Sequence, residues 1–376
     1  MITAYNFRLF PSKTQRKEFL RQLAVHCELY NLCLTERISL YESDGISVKC
    51  YDQMKCNVPP LKGKANSASM QQTVRRLDKT YKKFFKDKKG FARFKKRFRT
   101  IQYGKYGDGI KLNVDRGLVY VQMIGNIPCK FHRTIEGKIK NASVTLKQGQ
   151  MYVNVTVERE SVHKLVLERA VGIDFGMKSC VTTSEGKHYE TPQFRKSKAK
   201  DISRLQRKKL AEPENSKPIN KAIAKCYTKV ERRRNDYNHK LSRSLVNDYD
   251  ILCLEDIKVK GMIEGSNKHA VNRRWADLAI SDLKSKIIYK AENAGKIVIL
   301  VEPAYTTQTC SQCGNVAKQE LDQRTYQCSK CGMELDRDEN AATNILVNGL
   351  LKYNKNSLGL QTLGQNPKSL RINSEE

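Results

Sequence analysis

Apolar and polar positions alternate from Ala4 to Phe10, which predicts a strand over residues 4–10. Pro11 and Ser12 stop it, and Ser12 is placed to cap the helix that follows. From about 13 to 43 the spacing turns helical, with Phe19, Leu23, Cys27, Tyr30 and Leu34 three or four residues apart. Residues 44–66 are broken by Gly45, Pro59, Pro60 and Gly63 and read as loop. A second helix is expected over 67–86. Val74, Leu77, Tyr81, Phe84 and Phe85 lie on one face, and Arg75, Arg76, Lys79, Lys82 and Lys83 on the other. From 101 to 160 the period falls to two, with glycine turns between short runs. That pattern predicts a small β-rich unit, which the N-terminal strand joins with the helical region inserted.

The second half follows another rhythm. Residues 168–190 read as a three-strand meander with turns at Gly176 and Gly186. Two charged helices follow, roughly 196–211 and 219–248, separated by Pro213 and Pro218. The runs 250–255 and 296–301 are short and apolar enough for buried parallel strands, and a helix is expected between them over 275–294. A cysteine-rich stretch spans 306–332, and a last helix opens near 338. The tail after 353 is rich in Asn, Ser and Gly and is expected to be poorly ordered.

Without the cysteine insert, the order is three strands, then helix, strand, helix, strand, helix. That is the order of the RNase H-like fold, whose sheet brings acidic residues from the first strand, the fourth strand and the last helix to one edge. Here those places hold Asp174, Glu255 and Asp338. Three converging carboxylates can hold two Mg²⁺ ions, the arrangement that hydrolyses phosphodiesters. Each residue alone has a plainer reading. Asp174 sits in the turn-like GIDFG, Glu255 precedes Asp256, and Asp338 opens a helix with Asp336 as a competitor two residues away.

Charge narrows the partners. Lys and Arg total 70 against 39 Asp and Glu, a formal net charge of +31 over 376 residues. That imbalance opposes compaction unless a polyanion offsets it, and nucleic acid is the leading candidate. No apolar run approaches the roughly 18 residues of a spanning helix, and the N-terminus lacks a secretory core, so no membrane partner and a cytoplasmic location are expected. The basic run from Lys86 to Arg99 includes Lys95, Lys96 and Arg97, candidates for phosphate contact together with Arg75 and Arg76. Phe84, Phe85, Phe91 and Phe94 are interleaved with that charge. They could stack on bases, but core packing is the favoured reading.

Of twelve cysteines, eight are scattered and four form two CxxC pairs, Cys310/Cys313 and Cys328/Cys331, fourteen residues apart. This is the spacing of a four-thiolate zinc ribbon, with iron as the lesser alternative. Four ligands close the coordination shell, so the role expected of this ion is structural.

VGIDFGMKS, LCLEDIKV, YTTQTCSQCGN with QCSKCG, and DRDENAATNI resemble the motifs of TnpB proteins, relatives of Fanzor proteins and type V CRISPR effectors. FRLFPSKTQ, YNLCL, LDKTYKKFF and GFARFKKR are similar to the same family, so the resemblance reaches to about residue 350. It implies a wedge-like β domain over 1–12 and 88–166 with a helical recognition domain over 13–87. It further implies a RuvC nuclease domain over 167–305 and 333–353, a zinc ribbon over 306–332 and a tail over 354–376. It selects Asp338 over Asp336. It also implies a noncoding guide RNA, cleavage of both strands of target DNA at one RuvC site, and a monomer in the RNA complex, nucleoid-associated when on DNA. A short DNA motif would be read at Tyr51 and Gln71, with Ser67 a weaker match. A guide-dependent regulator without cleavage and a guide-independent nuclease or transposase are the competing readings.

Overall fold

The computed structural model describes residues 1–88, 90–160, 167–190, 192–257, 272, 275, 277–317 and 323–361, with side chains as far as 354. The chain divides into two compact units, Met1–Glu160 and Ser161–Glu376.

The first unit is built on a seven-stranded antiparallel sheet in the order β2-β6-β7-β1-β5-β4-β3. Its strands are β1 (Ile2–Leu9), β2 (Thr100–Tyr103), β3 (Ile110–Asn113), β4 (Leu118–Val121), β5 (Gly125–Lys130), β6 (Lys138–Lys147) and β7 (Gln150–Glu158). The N-terminal strand lies inside the sheet, paired with β7 along its length and with β5 at its end. Its alternation buries Tyr5, Phe7 and Leu9. Helices α1 (Lys13–Asp44), α2 (Cys50–Asn57) and α3 (Ser67–Asp87) come between β1 and β2. Ser12 caps α1 in a capping box, its hydroxyl accepting from the Gln15 amide while Gln15 returns a bond to the Ser12 amide. Phe19, Leu23, Tyr30 and Leu34 of α1 and Met70, Val74 and Leu77 of α3 join the sheet residues in one core.

Two expectations fail in this unit. Residues 50–57, expected as loop, are helical because a buried polar residue ties them down. Gln53 donates to the Cys33 carbonyl and to Glu36, and accepts from Arg37. No apolar periodicity announces such an anchor. The phenylalanines expected in the core are also misplaced: Phe85, Phe91 and Phe94 are 68%, 44% and 57% exposed, and Phe84 is only half-buried. The helix stripe runs past the end of the core at Phe84 and Phe85, and there the rings of Phe84, Phe85, Phe91 and Tyr81 pack on one another.

The second unit has a five-stranded sheet in the order β10-β9-β8-β11-β12. Its strands are β8 (Ala170–Asp174), β9 (Ser179–Thr183), β10 (His188–Glu190), β11 (Ile251–Glu255) and β12 (Ile297–Val301). Strands β8, β11 and β12 are parallel, and β9 and β10 are antiparallel. The helices are α4 (Lys196–Ala211), α5 (Ser216–Asp248), α6 (Ile280–Asn293) and α7 (Arg337–Gln361). Pro218 falls in the first turn of α5, where a missing amide hydrogen costs nothing, so the helix starts earlier than its prolines suggest. Alternation divides the strands between two faces. Val171, Ile173, Leu252 and Leu254 pack with Leu241 and Leu245 of α5 and Leu283 and Ile287 of α6. Ile251, Cys253, Ile299 and Val301 pack with Ile345 of α7 on the other face. The result is helix, sheet, helix. Helix α7 continues through 361, past the expected start of the tail; residues 362–376 lie outside the described residues, as does part of the helix expected over 275–294.

A small hairpin of β13 (Thr325–Gln327) and β14 (Glu334–Asp336) stands immediately before α7. No described helix is long and apolar enough to cross a membrane.

Candidate metal centres

The alternation that shapes the second core also aims its carboxylates. Residues 172 and 174 of β8 and 253 and 255 of β11 share the face covered by α7. The ladder pairs Leu254 with Ile173, which sets Glu255 beside Asp174 at the carboxyl ends of two parallel strands. Helix α7 can lie this close because β8 carries Gly172. A Cβ there would stand 1.9 Å from the Ala342 carbonyl oxygen and 2.7 Å from the Leu346 amide nitrogen. The close seat brings the first turn of α7 over the strand ends. Asp338 Oδ2 lies 3.7 Å from where a Cβ on Gly176 would be, at the turn just after Asp174.

The rival aspartate has a different task. Asp336 Oδ1 accepts from the Asp338 amide at 2.9 Å and the Glu339 amide at 3.3 Å, so it caps α7. Asp338 is left to face the strand ends.

Asp174 and Glu255 are each 8% exposed and hydrogen-bond to each other. Burial, then the Glu255 charge, then the Asp338 charge push Asp174 well above the usual carboxylate range. Burial raises Glu255 as well, opposed by hydrogen bonds from Asp174 and Thr306 and by the Lys284 charge. Among the described residues neither Asp174 nor Glu255 has a direct ion-pair partner. Asp338 has Arg337 at 3.6 Å and Arg324 at 3.9 Å. Carboxyl groups from three segments, two of them buried and without an ion-pair partner among the described residues, suit a hard divalent ion that prefers oxygen ligands. They are spread more widely than a single-ion cage: among the described residues only a cysteine group brings all its ligand atoms within 4.8 Å of one another. A pair of ions about 3.5–4 Å apart spans a wider set than one ion does.

That cysteine group is Cys310, Cys313, Cys328 and Cys331. Sγ of Cys310 lies 3.7 Å from Sγ of Cys331, and Cys313 lies 3.6 Å from Cys328. Ligands about 2.3 Å from a tetrahedral zinc stand about 3.8 Å apart, so the cage fits zinc without rearrangement. Gly314 and Gly332, at φ 73° and 72°, turn each knuckle back so that its amide bonds the first cysteine's carbonyl. The amide of Cys331 lowers the Cys328 thiol to about 6, favouring a thiolate there. Tyr326, fully buried between the knuckles, supplies the hairpin's core.

The two centres are tied together. From α7, Asn340 donates to the Thr309 carbonyl and accepts from the Ser311 amide, while Asn344 donates to the Thr306 and Thr309 carbonyls. This clamp holds Thr306 against Glu255 at one end and the first knuckle at the other. Sequence reading missed Thr306, Lys284 and Arg324, because nothing in their local patterns marks them as neighbours of the carboxylates.

In the first unit, Tyr51 is exposed on α2, with the Lys55 ammonium 4.8 Å from its ring centre. Ser67, Gln71 and Arg75 follow one another at four-residue steps along α3 and so share a stripe. Arg76 is exposed and stacks on Phe98 at 5.1 Å, beside a cleft of about 360 Å³ that Gln72, Thr100, Gln102 and Ser143 also line. Lys96 and Arg97 are exposed, whereas Lys95 is half-buried and its amide is held by Asn31. The structure therefore gathers Ser67, Gln71, Arg75 and Arg76 on one helix and leaves Tyr51 and the Lys95–Arg97 run on other segments.

Three family models match this chain. One described as a helix-turn-helix domain covers residues 1–45, where the structure has β1 and one long helix. One described as a probable transposase covers 152–265, and a Cas12f1-like TNB domain covers 281–345. The chain is similar to TnpB-family proteins. A putative RNA-guided DNA endonuclease, InsQ, of Escherichia coli is 28% identical over 93% of this chain and 92% of its own. A putative RNA-guided DNA endonuclease of Streptomyces pristinaespiralis is 25% identical over 92% of this chain and 89% of its own. The TnpB-like protein L79 of Acanthamoeba polyphaga mimivirus is 34% identical over 37% of this chain and 27% of its own. Within this chain, the probable-transposase match contains Asp174 and Glu255, and the TNB match contains all four clustered cysteines and Asp338.

Proposed function

We propose that this chain is an RNA-guided endonuclease that cuts double-stranded DNA for a transposable element. Its second unit would be a RuvC nuclease of RNase H-like fold carrying a structural zinc ribbon. The observation that carries the reading is the meeting of Asp174, Glu255 and Asp338 at one edge of a sheet in the order β10-β9-β8-β11-β12. The printed names of the Escherichia coli and Streptomyces relatives, which this chain matches along most of its length, support it. So does the +31 charge, which calls for nucleic acid.

In this reading Asp174, Glu255 and Asp338 would hold two Mg²⁺ ions, which would supply water activation and stabilisation of the leaving 3′ oxygen. The protein's own groups do the rest. Thr306 lies beside Glu255 and favours its charged form, and Asn344 holds the Thr306 carbonyl. Arg324 brings a guanidinium from the ribbon to the edge of the carboxylate group, where it can bind a phosphate oxygen and orient the strand. The four cysteines would hold zinc, and the hairpin they close would keep β14 and the start of α7, and with them Asp338, in register. Sequence choice falls to guide pairing, while the protein reads backbone and a short motif near Tyr51, Ser67 and Gln71.

The test is co-purification from a host carrying the native flanking DNA, sequencing of the bound RNA, and cleavage of a plasmid matching its terminal segment. A discrete RNA and Mg²⁺-dependent linearisation are expected, absent with Asp174→Ala. A random nucleic-acid background with guide-independent nicking would instead mark a DNA-processing enzyme. Specific RNA and DNA binding with no cleavage by the native chain would mark a regulator.

A further inference from the structure

The first unit has a second concave feature, away from the stripe on α3 that carries Gln71 and Arg75. The C-terminal end of α1, the segment after it, the end of α3 and Phe91 enclose a cleft of about 350 Å³. Tyr41, Tyr81, Phe84, Phe85 and Phe91 line it, with Arg37 at its base. Phe84 packs edge-on against Phe85 at 5.4 Å and against Phe91 at 5.2 Å, and Tyr81 against Phe91 at 5.4 Å. Tyr41 and Phe85 are nonetheless 66% and 68% exposed, more than packing alone would leave. The Tyr81 hydroxyl is closed off from water and has no hydrogen-bond partner among the described residues. Lys82, paired with Asp78 at 2.9 Å, lies one turn before Phe85, and Lys83, Lys86 and the C-cap residue Lys88 are exposed nearby, so the end of α3 carries a net positive charge. One acidic residue, Glu42, lines the opposite wall.

We infer that this cleft binds an unpaired nucleobase of a single nucleic-acid strand, with the base against Phe85 and Phe91 and its backbone along the lysines of α3. Apolar protein segments would use the aromatic faces but not that positive charge, whereas a single strand uses both: every base has a face to stack, and every phosphate a charge to neutralise. A base also carries carbonyl or ring-nitrogen acceptors at its edge, which the unpartnered Tyr81 hydroxyl can serve after a small shift of the rings above it. The inference concerns binding alone and does not depend on cleavage or on a guide.

The experiment uses the full chain, freed of nucleic acid, and a fluorescein-labelled twelve-nucleotide oligoadenylate as RNA and as DNA, beside a duplex RNA of the same length. Phe85→Ala with Phe91→Ala should weaken single-strand binding about tenfold, leave duplex binding unchanged and leave the salt dependence unchanged, since no charge is removed. Phe85→Leu with Phe91→Leu keeps the apolar surface and should lose nearly as much. Loss on RNA alone would identify the strand as RNA, and loss on both as either strand; both support the site. Equal loss on single strand and duplex would overturn it, as would unchanged affinity in both variants. A shift from dimer to monomer in sedimentation with RNA affinity intact would also overturn it, making the cleft an interface between two copies of the chain. Both sites are exposed, so a normal melting curve is expected and separates loss of stacking from loss of fold.

Discussion

Gly172→Ala tests how the helix and the strand ends come together. The glycine is not in a left-handed conformation, so alanine can adopt its backbone, and the whole penalty is steric. The new methyl would stand 1.9 Å from the Ala342 carbonyl oxygen, where ordinary contact begins at 3.4 Å. The offending atoms are backbone, so no side chain can swing away. Strand β8 and helix α7 must separate by about 1.5 Å or the strand must bend. Overpacking of this kind costs about 1–3 kcal/mol, which in a unit of this size lowers the melting temperature by several degrees. The displacement acts directly on function, because Asp338 rides on α7 and Asp174 on β8. A misplacement of about 1 Å costs on the order of a hundredfold in rate. The assays are thermal unfolding and Mg²⁺-dependent plasmid cleavage by the RNA-loaded protein, with RNA affinity as the control. A Gly172→Ala protein that melts and cuts like the wild type would refute the account of how α7 is seated.

Asp174→Asn should abolish cleavage. Because Asp174 is held above the usual carboxylate range, its charge opposes folding at neutral pH when no metal is bound. The variant should therefore melt higher than wild type in chelator, and should lose the stabilisation that Mg²⁺ gives wild type; a lower melting temperature in chelator would contradict this. Cys310→Ser should remove one bound zinc by metal analysis and destabilise the second unit by several kcal/mol; an unchanged melting curve would count against the cage. His26 is buried, bonded to Thr73 at 2.7 Å and Ser69 at 3.2 Å, and burial lowers it from 6.5 to about 4. Its stabilising effect is complete above pH 6.5 and is lost as pH falls toward 4, where the unfolded chain takes up a proton that the folded one refuses. Relative to His26→Gln, wild type should lose about 2 kcal/mol between pH 7.5 and pH 5 in urea unfolding; parallel pH profiles for the two proteins would show the reasoning to be wrong.

Local pattern sufficed wherever one short segment holds all the information an element needs. Ser12 with Gln15 announces the start of α1, the CxxC pairs with their glycines announce a four-thiolate cage, and the apolar run 250–255 announces a buried strand. The order of the elements in the second half was legible for the same reason. Three things found their physical reason only in the tertiary structure. Asp336 and Asp338 look alike in sequence and differ because one oxygen is consumed in capping α7 while the other faces the strand ends. Thr306, Lys284 and Arg324 reach the carboxylates from segments whose own periodicity is silent about them, since their neighbours come from distant parts of the chain. The exposed phenylalanines near the end of α3 read as core because a one-dimensional pattern records that residues share a face but not how far the core extends beneath that face. Hydrophobic period, cap and ligand spacing are local quantities fixed by backbone geometry; convergence and burial depend on which segments fold against one another.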